Sequence, residues 1–111
     1  MALALPLIDS CTSSTDKALE QPLLFSHLAD KRSIAEVGAA YRKSFPAEDN
    51  KMRLKQLLLG DNTSTDKSII QNLLDKHVVQ DFKNGSTTVI KGWVLSVTEA
   101  RQCALYAILN S

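Results

Sequence analysis

Residues 84–110 constrain the fold most, because their residue pattern changes from helical to strand-like and back to helical within a short span. The stretch opens with a helix stop, since Asn84-Gly85 offers the left-handed backbone position at which helices commonly end. Two short runs of β-branched and aromatic residues follow, at 87–90 and 93–95, and Lys91-Gly92 separates them. This order predicts a short β-hairpin.

The hairpin leads directly into a helix. Ser96 and Glu99 have the spacing of a capping box, in which the serine hydroxyl and the glutamate carboxylate each accept a free backbone N–H. We therefore predict both as helix caps. The helix after them has small side chains at spacings of three and four, which predicts a narrow face that lets a neighbour approach closely: Ala100, Cys103, Ala104, Ala107 and Ile108.

The chain before this stretch is typical of helices joined by short polar loops. Ser33 and Glu36 form a second capping box, so they are predicted caps of a helix that Pro46 ends. The proline and acidic residues at 46–49 then predict the first turn of the next helix, which Gly60 stops. Its predicted apolar face consists of Met52, Leu54, Leu57, Leu58 and Leu59.

A long helix is predicted between residue 65 and the Asn84-Gly85 stop. Its apolar residues recur at near-perfect spacing: Ile69, Ile70, Leu73, Leu74, Val78 and Phe82. A shorter helix is expected up to about residue 30. The fold class is therefore mainly α: a small helical domain of about four to five helices with one short β-hairpin before the last helix. At 111 residues the chain is long enough for one such core, which we assign to residues 17–111.

Residues 1–16 differ from the rest. An apolar run at 2–8 is too short to span a bilayer, and Ser10-Cys11 and a polar linker follow it. This order resembles a truncated export signal or the lipobox of a bacterial lipoprotein, in which Cys11 would be acylated. A lipid on Cys11 would be the expected membrane contact. The alternative is a hydrophobic tail that packs on the domain.

Composition and motifs predict no catalytic, metal-binding or nucleic-acid-binding site in this chain. With 13 basic and 12 acidic residues the net charge is +1, which gives no electrostatic case for nucleic acid, and the last helix contains Arg101 as its single basic residue. His27 and His77 each have an aspartate one helical turn away but no third metal ligand. Cys103 lies among alanines, which is typical of a buried thiol. We therefore predict no catalytic, cofactor-binding or metal residue and no enzymatic activity.

Three runs carry a resemblance to a known family: IAEVGAAY at 34–41, DFKNG at 81–85 and GWVLSVTEARQCAL at 92–105. In this order they resemble the small gamma, or third, subunits of membrane-bound gluconate, sugar and alcohol dehydrogenases, which are exported by the twin-arginine route. We call them the motif runs. The twin-arginine pair of that family is not in this sequence.

The resemblance implies a function. Such a subunit binds a large flavin-containing dehydrogenase and helps it to mature and cross the membrane, while a cytochrome c subunit takes the electrons. FAD and haem would belong to those partners, and this chain would bind no cofactor. The expected location is the periplasm or the outer side of the cytoplasmic membrane, or the cytoplasm if the N-terminus is not a signal remnant.

The hairpin and the last helix are the expected docking surface, because the resemblance is densest there. The candidate partner-interface residues are Trp93, Leu95, Glu99, Arg101 and Tyr106. Trp93 is either a partner anchor or the lid of the domain's own core. The small-residue helix face could instead pack on the long helix and leave nothing for a partner. The alternative function is a free-standing small bacterial lipoprotein or helical interaction domain.

Overall fold

A computed structural model describes Leu19 and residues 30–62 and 65–110 of the chain. The elements, in order, are α1 (Lys31–Ser44), a 3-10 turn (Pro46–Glu48), α2 (Lys51–Leu59), α3 (Lys67–Asn84), β1 (Thr87–Ile90), β2 (Trp93–Ser96) and α4 (Val97–Leu109). In the described part of the chain, four helices with one antiparallel hairpin before the last helix confirm the predicted mainly α fold class. Cys11, His27 and the predicted segment at 1–16 lie outside the described residues.

Helix α4 lies at the centre of the domain. Its side chains are buried on nearly every side, and it contacts α1 most extensively, followed by α2, α3 and the hairpin. A helix that is apolar almost all round is expected to be enclosed by neighbours in this way. None of the described helices is long and apolar enough to cross a membrane.

The closest helix contact joins α1 to α4. Gly38 faces the backbone of α4, and a Cβ built on it would overlap the carbonyl oxygen of Cys103. Ala100, Cys103 and Ala104 are fully buried beside it. The predicted small-residue face is therefore confirmed, and its principal neighbour is α1 rather than the long helix α3.

We predict that Gly38→Ala lowers the free energy of unfolding by about 3 kcal/mol, because the added methyl forces two helix backbones apart. Urea denaturation followed by circular dichroism measures the change. Ala39→Gly is the matched control: Ala39 is exposed on the same helix, so the change should cost only about 1 kcal/mol of helix propensity. A Gly38→Ala variant as stable as the native protein would contradict the contact.

The start of α1 corrects one prediction. Asp30 is the N-cap, and its carboxylate accepts the backbone N–H of Ser33 at 2.8 Å. Ser33 therefore lies inside the first turn and Glu36 is exposed, so the predicted capping box at these two residues is wrong. An aspartate caps a helix as well as a serine does, and Asp30 adds a turn before Ser33.

The start of α2 corrects a second prediction, namely that residues 46–49 form the first turn of this helix. Residues 46–48 form a separate 3-10 turn, and α2 begins at Lys51 with Asn50 as its cap, whose side chain accepts the N–H of Arg53 at 3.0 Å. The proline and acidic residues therefore belong to the connection and not to α2. Gly60, with a φ of 59°, ends α2 as predicted.

The apolar stripes of α2 and α3 are buried only along a narrow line. Leu54 and Leu58 of α2 and Ile70 and Leu74 of α3 are buried. The exposed apolar residues of the two helices include Met52, which is 76% exposed, Ile69, Val79 and Phe82. The sequence spacing predicts Met52, Ile69 and Phe82 on the apolar faces, but all three are exposed. The buried faces of α2 and α3 are therefore narrower than predicted.

The hairpin has the predicted boundaries, with Ser96 added to the second strand. Lys91 and Gly92 have φ values of 51° and 86°, which is the type I′ turn that matches the twist of paired strands. Ile90 and Leu95 point inward and are buried, whereas Val89 and Val94 pair with each other on the outer face. The strand alternation thus divides the hairpin into a core side and a solvent side.

Candidate functional site

The junction of the hairpin with α4 is held by three polar side chains. The Ser96 hydroxyl accepts the Glu99 N–H at 3.0 Å, and the Glu99 carboxylate accepts the Ser96 N–H at 3.0 Å. Both predicted caps are confirmed. A third acceptor comes from α3: the Asp81 carboxylate accepts the Thr98 N–H at 2.8 Å. Asp81, the aspartate one helical turn after His77, therefore ties α3 to the start of α4.

We predict that Ser96→Ala lowers the free energy of unfolding by about 1 kcal/mol, because the Glu99 N–H loses its acceptor inside the domain. Thermal melting followed by circular dichroism checks this. Ser86→Ala is the control, since Ser86 is exposed just before the hairpin and should leave the melting temperature unchanged. A Ser96→Ala variant that melts at the same temperature as the Ser86→Ala control would count against the cap.

A second polar cluster joins α1, the 3-10 turn and α4. Glu48 accepts a bidentate pair of hydrogen bonds from Arg101, at 2.9 Å from Nε and 3.2 Å from the terminal nitrogen. The Tyr41 hydroxyl donates to the same carboxylate at 2.9 Å. No local sequence pattern predicts this cluster. The one available signal was that Tyr41 and Arg101 both belong to motif runs.

The cluster shifts two pKa values in opposite directions. The hydrogen bonds from Arg101, followed by that from Tyr41, hold the pKa of Glu48 below its ordinary value despite partial burial. Burial, and then the hydrogen bond to the Glu48 carboxylate, raises the pKa of Tyr41 from 10.0 to about 12. The folded domain therefore favours an ionised Glu48 and a neutral Tyr41.

These shifts predict a pH dependence of stability at both ends. Because the pKa of Glu48 is lower in the folded state, its contribution is complete above the unfolded pKa and is lost as the pH falls through the folded one. Because the pKa of Tyr41 is higher when folded, its contribution is complete below pH 10 and is lost as the pH rises to about 12.

Urea denaturation across the pH range measures both effects. Glu48→Gln should remove part of the acid-side slope, and Tyr41→Phe should remove part of the slope between pH 10 and about 12. Because Glu48 and Tyr41 share a hydrogen bond, each variant should also reduce the slope of the other limb in part. Unchanged slopes in both variants would contradict the cluster.

The structure divides the predicted partner-interface residues into two groups. Leu95, Glu99 and Tyr106 are buried, so they build the core or the cap and are not available at the surface. Trp93 and Arg101 are half-buried: Trp93 packs against the core, as expected of a lid, and Arg101 is bonded to Glu48. The small-residue face of α4 is likewise internal.

The solvent side of the hairpin was missed. Val89 and Val94 lie opposite each other and are 68% and 63% exposed. Strand alternation predicts their outward direction, but the predicted docking surface does not include them. Among the described residues, this pair is a surface feature that the core leaves uncovered.

Cys103 and His77 are the remaining candidates named from the sequence. Cys103 is buried as predicted, and burial raises the pKa of its thiol far above the ordinary value. His77 is half-buried on α3. The described part of the chain holds no group of three or more His, Cys, Asp or Glu side chains placed to bind a metal ion.

Comparison with known proteins found no matching family model, no matching curated protein and no matching solved structure.

Proposed function

We propose that this domain is a non-catalytic accessory subunit that binds a large flavin-dependent dehydrogenase and helps it to be exported or to mature. The observation that carries the proposal is the way the three motif runs meet in space. Gly38 of the first run touches Cys103 of the third, and Asp81 of the second run accepts a hydrogen bond from Thr98 of the third. Runs distant in sequence thus form one structural unit, which favours a shared fold over chance similarity of short strings.

The polar residues of the motif runs support a non-catalytic role. Asp81, Ser96 and Glu99 bond to backbone N–H groups at the start of α4. Arg101 and Tyr41 share the Glu48 carboxylate. These side chains position helices, and a scaffold of this kind is suited to holding a partner.

The proposal includes the location and partners that the resemblance implies. The large subunit would carry FAD, a cytochrome c subunit would carry haem, and the complex would lie on the periplasmic side of the cytoplasmic membrane. Acylation of Cys11 would fix it there and remains a prediction outside the described residues.

Sequencing the genes beside this chain and co-expressing any large flavin-dependent dehydrogenase subunit that they encode tests the proposal. We expect the two proteins to copurify in a fixed ratio, and the amount of FAD-loaded enzyme in the periplasm to fall when this chain is omitted. An unrelated small exported domain is the control. Failure to copurify, with unchanged enzyme yield, would refute the accessory role and favour a free-standing lipoprotein or interaction domain.

A further inference from the structure

The end of α3 places a reactive pair of residues at the surface. Gly85 follows Asn84, and no other asparagine in the sequence precedes a glycine. Both residues are exposed, and a Cβ built on Gly85 would meet nothing within 4 Å. The backbone nitrogen of the next residue can attack an asparagine side-chain amide, and glycine obstructs that nitrogen least because it has no Cβ. The sequence and the exposure therefore single out Asn84 for this reaction.

Backbone hydrogen bonds hold the attacking nitrogen in the folded domain. Gly85 has a left-handed backbone with a φ of 73° and shares its N–H between the carbonyl oxygens of Asp81 and Phe82. The bond to Phe82 is long, at 3.4 Å, and Ser86 donates its N–H to the Asp81 carbonyl oxygen at 2.8 Å. Together these bonds form the Schellman motif that commonly ends helices. The nitrogen becomes free to react when this last turn of α3 opens.

We propose that Asn84 is a self-modification site, at which asparagine is converted to isoaspartate and aspartate when the last turn of α3 opens. Hydroxide removes the proton from the Gly85 nitrogen, which then forms a bond to Cγ of Asn84. The bond between Cγ and the side-chain nitrogen breaks, and that nitrogen leaves as ammonia with a proton from water. Water then opens the resulting succinimide ring at either of its carbonyl carbons. The net reaction consumes water and releases ammonia.

Opening of the helix end sets the rate of this reaction. The last turn of a helix frays at a lower free-energy cost than the whole domain unfolds, so the reactive state is reached without global unfolding. Asn84, Gly85 and Ser86 are all exposed, so no tertiary packing of their side chains opposes the opening. The reaction is therefore slower in the folded domain than in the unfolded chain, and it requires no partner.

The modification disturbs the junction at which α3, the hairpin and α4 meet. A new carboxylate at position 84 lies at the negative end of the α3 dipole and three residues from the Asp81 carboxylate, and both effects are unfavourable. Isoaspartate also adds a methylene group to the backbone before Ser86. The Ser86 carbonyl oxygen accepts the N–H of Val97, the first residue of α4, at 3.0 Å. A longer backbone at position 84 therefore loosens the start of α4.

Ageing of the purified full chain tests the proposal. The protein is kept at mildly alkaline pH, with and without urea that unfolds it, and its tryptic peptides are followed by mass spectrometry. Peptide 84–91 contains Asn84 and no other asparagine. We expect it to change from amide to acid faster than the peptides that contain Asn50 and Asn72. The rate without urea should be at least about tenfold lower than the rate with it, because the folded turn must open first.

Two variants separate the chemistry from the fold. Gly85→Ala places a methyl group beside the attacking nitrogen and should slow the reaction in urea at least about tenfold, where no effect of folding remains. Asn84→Gln keeps a side-chain amide but closes the ring far more slowly, so it is the matched control. We expect the aged native chain to melt at a lower temperature than the fresh chain, whereas aged and fresh Asn84→Gln should melt alike.

Three results would overturn the proposal. One is that Asn84 keeps its amide in urea, or reacts no faster there than Asn50 and Asn72. Another is that the rates with and without urea are equal, since the folded turn would then offer no protection. The third is that a chain fully converted at position 84 melts at the same temperature as the fresh chain, which would show that the junction tolerates the change.

Discussion

The backbone contact between α1 and α4 is the constraint on which the rest of the domain depends. Dispersion forces fall steeply with distance, so two helices that touch at Gly38 and Cys103 gain contacts along their whole crossing. The arrangement requires small residues on α4, and Ala100 and Ala104 supply them. With α1 seated so closely, α2, α3 and the hairpin cover the remaining sides of α4. The central helix thus takes part in the most extensive contacts between helices.

Burial of α4 makes its first turn costly unless the free N–H groups are satisfied. Ser96 and Glu99 satisfy two of them from within the local chain, and Asp81 satisfies a third from α3. A buried N–H without an acceptor costs about 1 to 3 kcal/mol, so these bonds also fix how α3 and the hairpin meet the helix. The ion pair of Glu48 with Arg101 does the same for the 3-10 turn. Polar residues here act chiefly as assembly contacts.

The separation between buried residues of the motif runs and exposed residues of the hairpin bears on function. The motif runs build the interior, where a residue contributes to stability whatever the domain binds. At the surface, Val89 and Val94 are uncovered on the outer side of the hairpin. An accessory subunit of this design would keep its core for folding and its surface for a partner.

The sequence by itself determined the local elements. The stop at Gly85, the turn at Lys91 and Gly92, and the cap at Ser96 and Glu99 each depend on residues within four positions of one another, so local stereochemistry fixes them. The same local rules misplaced the start of α1, where two adjacent cap signals compete and Asp30 prevails over Ser33.

Tertiary structure decided what covers each face. Periodicity shows that a helix has an apolar stripe, but the width of the buried part depends on which neighbour lies against it. Met52 and Phe82 are exposed for this reason, while Leu95 and Tyr106 are enclosed. The Glu48 cluster links residues far apart in sequence, and no local pattern records that they meet. Long-range packing alone brings them together, because the burial of α4 fixes where each of its neighbours can sit.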